Sequence, residues 1–136
     1  MTPLPQHPLR RVVISTFEDL AMLFTHGTAN DGGPTAPVTC AARVAFAGPR
    51  SGFVDVRASD DVVAAAARNM LADDAAGPDL CFDAIAELAN VICGNLTPSL
   101  GERDAVYRLA APVRAPLVPA PDADACVELA VETGRV

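Results

Sequence analysis

The stretch DAIAELANVICGNL, residues 83–96, sets Asp83, Glu87 and Asn90 at intervals of four and three in otherwise apolar surroundings. At about 100° per residue, a helix brings these three and Gly94 within about 60° of one another. Cys81, Ile85, Leu88, Ile92 and Leu96 gather on the opposite side. The spacing predicts a helix over 80–96, with Asp79 as its cap and a stop near Asn95 and Pro98. Such a helix buries one flank and shows a narrow acid–acid–amide stripe on the other.

The rest of the chain supplies a core for that flank. At 136 residues it has the size of one domain, and 51% of the residues are hydrophobic. Aromatic residues make up only 4%, so Ala, Val, Leu and Ile must do the packing. The net charge of −7 argues against a nucleic-acid or anionic-membrane surface, which needs clustered positive charge. No apolar run approaches a membrane span, and MTPLPQHPLRR lacks the apolar centre of a signal peptide, so the expected compartment is cytoplasmic. Cys40, Cys81, Cys93 and Cys126 show no CxxC spacing and only His7 and His26 could join them; no metal site is expected, and the thiols read as small buried hydrophobes.

Along the chain, residues 1–13 read as a loose, proline-rich lead-in to a single domain at 14–136. Ser15-Thr16-Phe17-Glu18 has the form of a capping box and predicts a helix over 16–26, with His26 near its C-terminal end. HGTANDGGPTAP, 26–37, reads as a loop. Alternation in VTCAARVAFAG and SGFVDVRAS, joined by GPRSG, predicts a β-hairpin over 38–58. Ser59 and the two acids after it open a helix over 60–73. AVYRLAAPVRA reads as a strand, PLVPAPDAD as a stiff connector and CVELAVETG as a last strand before a Gly turn.

A shift of 68 positions lays Phe17–Phe24 over Ile85–Ile92, acid on acid and Leu-Ala on Leu-Ala. A degenerate internal duplication and two amphipathic helices that share a pattern by chance both account for this match. Met22 stands opposite Asn90, so the chain holds one copy of the stripe.

The segment from Asp83 to Pro112 resembles the motif of the CheC, CheX and FliY chemotaxis phosphatases: an acid or Ser, three residues, Glu, two residues, Asn, and a downstream Pro. Asp83, Glu87, Asn90 and the following Gly94-Asn95 fit it. Twenty-one residues separate Asn90 from Pro112, one short of the usual gap, and Pro112 lies inside a strand-like LAAPV. The element order is similar to the single-site CheX type over most of 14–136, although this sequence ends at GRV, where CheX-like chains complete a last strand. The resemblance implies an α+β fold, a mainly antiparallel sheet with helices packed on it. It implies hydrolysis of the aspartyl-phosphate on a CheY-like receiver domain, which brings its own Mg²⁺; no cofactor of this chain's own is expected. Glu87 and Asn90 are then the catalytic pair, Asp83 and Gly94 partner-binding residues, and Pro112 a support beside the helix. A homodimer is compatible with the family.

Plainer readings compete with this one. Exposed acid pairs at i, i+4 are commonplace. A solvated face, however, is usually longer and carries basic residues, and none occurs from 79 to 102. A receiver-binding adaptor or dimerisation module would keep the fold without catalysis. A carboxylate-pair hydrolase with its own small substrate lacks any accompanying pocket motif.

Overall fold

The computed structural model describes residues 6–28, 37–71, 78–100, 106–118, 129–131 and 134–135. In chain order these form α1 (Gln6–Ala21), β1 (Thr25–Thr28), β2 (Val38–Ala47), β3 (Gly52–Ser59), α2 (Asp60–Leu71), α3 (Pro78–Leu96), a 3₁₀ turn (Thr97–Leu100), β4 (Arg108–Leu109), β5 (Val113–Arg114), β6 (Leu129–Val131) and β7 (Gly134–Arg135). All strand pairs among the described residues are antiparallel. One sheet has the order β3-β2-β4, with β5 also on β2; the other has the order β1-β6-β7. The expected α+β class is therefore observed.

The hairpin is the centre of the fold. Its register pairs Ala42 with Val56 and Val44 with Val54 on the face toward the helices, and Arg43 with Asp55 and Ala45 with Phe53 on the outer face. α3 lies across β2 and β3, with α1 and α2 packed beside it. Phe17, Leu23, Val44, Val62, Ile85, Leu88 and Ile92 are fully buried between these layers. On the outer face Asp55 accepts from Arg43 Nε at 2.6 Å, Arg43 Nη2 at 2.9 Å and Arg57 Nη2 at 2.8 Å. Arg57 Nε also donates to Pro116 O, at 3.0 Å, and ties the chain after β5 to that face.

α1 departs from the sequence reading at both ends. It begins at Gln6, so residues 6–13 belong to a helix, and Leu9, Val12 and Val13 pack on the core. The boundary expected after residue 13 is not structural. Pro8 is tolerated in the first turn, where its missing N–H has no helical acceptor. Ser15 and Glu18 lie inside the helix and form no capping box; Thr16 Oγ1 instead donates to Val12 O at 2.7 Å. The apolar stripe at 9, 12, 13, 17, 20 and 21 continues upstream and outweighs the local cap signal.

The helix stops at Ala21 because Met22 turns left-handed, with φ of 54°. Leu23 N–H then donates to Phe17 O, and Asn69 Nδ2 of α2 caps Ala21 O at 2.7 Å. His26 therefore lies in β1, not at a helix end, and the expected loop begins beyond that strand. Asp79 is likewise inside α3, which opens with Pro78. Residues 29–36, 72–77, 101–105 and 119–128 fall outside the described residues, and so does Cys126.

α3 and its 3₁₀ turn form one helical run over Asp79–Leu100, long and apolar enough by length and composition to cross a membrane. That corrects the expectation that no such run exists. Half of it is buried inside the fold, as befits a core helix.

Candidate functional site

α3 is unbroken from Pro78 to Leu96 and is buried around most of its circumference. Ala84, Ile85, Ala86, Leu88, Ala89, Ile92, Cys93 and Leu96 are all covered, an arc of about 200°. Small side chains at 84, 86 and 89 let neighbouring elements close in on several sides. What stays open is the stripe: Asp83, Glu87 and Gly94 are exposed, and Asn90 is half-buried. Asp83, Glu87 and Asn90 make no hydrogen bond or ion pair with another described residue. The local fold does not use their polar atoms.

The edge strand runs beside this stripe. Leu109 of β4 approaches Gly94, whose Cβ position would lie 3.9 Å from Leu109 Cδ2. Arg114 of β5 reaches the other end of the helix, with its guanidinium 4.4 Å from the Phe82 ring centroid and 3.7 Å from Asp79 Oδ1. The chain from Leu109 to Arg114 thus runs antiparallel to the helix row Phe82, Ala86, Asn90, Gly94 and touches it at both ends, with Asn90 between the two contacts along the helix.

Pro112 sits in a break of the strand that the sequence reading ran together as one element. Phe46 pairs with Leu109, yet Arg43 pairs with Val113 and Ala42 with Arg114. Three steps along β2 oppose four along its partner, so one extra residue is bulged out between Ala110 and Val113. Ala110 N–H still donates to Ala45 O, and Ala115 N–H to Ala41 O, on either side of it. Proline suits this place, because a bulge at a sheet edge asks no N–H of it.

Cys40 and Cys93 behave as packing groups: both are buried, and burial pushes the Cys93 thiol up to about 11. Cys40 is raised by burial as well, with Arg114 pulling the other way and Cys81 adding to the rise. Among the described residues no group of three His, Cys, Asp or Glu is placed to hold a metal ion. Arg114 is the residue beside the stripe that sequence reasoning missed. The sequence places it in a strand but does not say which face it takes.

The profile of a family described as chemotaxis phosphatase CheX matches residues 40–113, more than half of the chain. The chain belongs to the CheX family. Its fold is similar to CheX from Desulfovibrio desulfuricans, with a TM-score of 0.66, 17% identity, and 95% of this chain and 92% of that one covered. It is also similar to a chain of the CheX–CheY–BeF₃–Mg²⁺ complex from Borrelia burgdorferi, with a TM-score of 0.64, 15% identity, and 95% and 90% covered. CheX from Vibrio vulnificus matches with a TM-score of 0.62 and 16% identity, over 80% of this chain and 72% of that one. No curated protein matches the chain closely.

Proposed function

We propose that the protein dephosphorylates the aspartyl-phosphate of a CheY-like receiver domain in the cytoplasm, with the α3 stripe as its working surface. The observation that carries this reading is Asn90 itself. It is an amide on a continuous helix, three residues beyond an exposed glutamate, and no described neighbour takes up its hydrogen bonds. The family described as chemotaxis phosphatase supports the reaction, and the Borrelia burgdorferi CheX–CheY complex supports the class of partner.

The chemistry requires little of the chain. An acyl phosphate is already activated, and the receiver supplies the metal and a lysine. What is lacking is a water held in line behind phosphorus, and positioning alone lowers a barrier by several kcal/mol. A neutral amide at Asn90 can donate to and accept from that water without repelling the phosphoryl oxygens. A carboxylate there would be repelled. Glu87 then pairs with the receiver lysine and sets the docking register, while Asp83 lies further along the same face. Gly94 lets a partner backbone come close, and Pro112 shapes the strand alongside.

The test is to mix the protein with phosphorylated receiver domains from its own genome and follow phosphate release. Acceleration of at least one receiver is expected. Glu87→Ala should weaken it mainly through KM, and unchanged affinity would contradict the role given to Glu87. Binding of a receiver without acceleration would favour the adaptor reading.

A further inference from the structure

The bulge at Ala110–Pro112 decides which way the next residues face. Successive strand residues alternate between the two sides of a sheet, so one added residue exchanges the sides of everything after it. Leu109 points toward the helices opposite Phe46. Without the bulge, Val113 would pair with Ala42 and face α3, and Arg114 would turn to the outer face. With it, Arg114 pairs with Ala42 and stacks on Phe82, and Val113 pairs with Arg43 on the outer face.

Arg114 differs from the two arginines on that outer face. Arg43 and Arg57 turn their donors to Asp55, whose side chain is only 6% exposed. The Arg114 side chain is 63% exposed, and its partner Asp79 is a fully exposed carboxylate at 3.7 Å, a contact that water and salt loosen readily. The Phe82 ring holds the guanidinium in place and leaves donors free. It sits at one end of a row that continues through Asp79, Asp83 and Glu87, in a chain of net charge −7. No basic residue lies on α3 itself. Among the described residues Arg114 is the cation beside this acidic row, so the anionic groups around a phosphorylated carboxylate are drawn to the Arg114 end while Glu87 is left for the receiver lysine.

We infer that Arg114, turned toward α3 by the bulge at Pro112, is a docking residue that contacts the anionic rim of the phosphorylated partner. This rests on the proposed function and adds a residue and a polarity to it. Pro112 thereby acts at a distance: it favours the bulge, the bulge aims the arginine, and the arginine orients the partner along α3.

The experiment measures kcat and KM of the full chain with whichever phosphorylated receiver it accelerates, at low and high salt. Arg114→Met keeps an apolar stem over Phe82 and removes the charge; KM should rise about fivefold to tenfold, with kcat within twofold and a flatter salt dependence. Arg114→Lys should restore most of the loss. The double exchange of Val113→Arg with Arg114→Val preserves net charge but moves the cation to the outer face, and it should match Arg114→Met. An unchanged KM in Arg114→Met, or wild-type KM in the double exchange, overturns the inference. If wild type accelerates no receiver, or Asn90→Ala is fully active, the site reading itself fails and this inference falls with it. If Asn90→Ala is inactive while Arg114→Met is normal, only the arginine's role is lost.

Discussion

Gly94 and Leu109 meet where the edge strand passes the end of the stripe, and the gap between them has room for one more carbon. A Cβ built on Gly94 lies 3.9 Å from Leu109 Cδ2, an ordinary van der Waals contact. The structure therefore does not need glycine there for packing, and a helix position normally disfavours it.

Gly94→Ala should accordingly raise stability by about 0.5–1 kcal/mol, read from denaturant unfolding. The same variant should raise KM for a phosphorylated receiver, because the added methyl stands where the proposed docking brings a partner backbone close. A stabilised variant with unchanged KM would show that Gly94 has no part in docking.

Met22 provides a second contrast. It aligns with Asn90 in the 68-residue comparison, yet it is a left-handed residue just past the end of α1, whereas Asn90 is in mid-helix. Met22→Asn should stabilise the chain by up to about 1 kcal/mol, since asparagine tolerates that conformation better than methionine. It should create no second site. Added phosphatase activity in that variant would contradict the geometry.

Cys93 predicts a pH dependence. Its folded value of about 11 lies above the ordinary 9.0, so the folded state holds the neutral thiol more tightly than the unfolded chain does. That contribution is fully present below pH 9 and is lost as pH rises toward 11, by about 1.4 kcal/mol per unit. Wild type should therefore lose more stability between pH 8 and 10.5 than Cys93→Ala, measured by thermal unfolding. Parallel pH profiles would count against a buried neutral thiol.

Tyr107 places its ring edge against Phe46, with centroids 5.9 Å apart, and its hydroxyl is buried without a hydrogen-bond partner among the described residues. Tyr107→Phe should be neutral or stabilising by up to about 1 kcal/mol, because no bond is broken and a desolvated hydroxyl is removed. A clear drop in Tm would reveal a partner for that hydroxyl.

The parts legible in the sequence are those whose signal is local. Alternation in 38–58 marks the hairpin, acids after Ser59 mark α2, and the spacing of Ile85, Leu88 and Ile92 marks α3. The stripe was legible for the same reason, since one helix carries all of it. Two signals misled at α1: prolines near the N-terminus suggested a loose segment, and Ser15 with Glu18 imitated a helix start. The apolar stripe from Leu9 to Ala21 overrode both by packing on the core. β1 is four residues with no alternation, and only its pairing with β6 makes it a strand. The bulge at Pro112 and the direction of Arg114 depend on register against β2, some seventy residues away in the chain. No local pattern encodes that register.

Phosphate release from a receiver that the wild-type protein accelerates, measured with Asn90→Ala at saturating concentration, tests the central claim most directly. The variant should bind the receiver as wild type does, keep its Tm within a degree or two, and lose the acceleration by about a hundredfold or more. Full activity in Asn90→Ala would contradict the assignment of the amide to the attacking water.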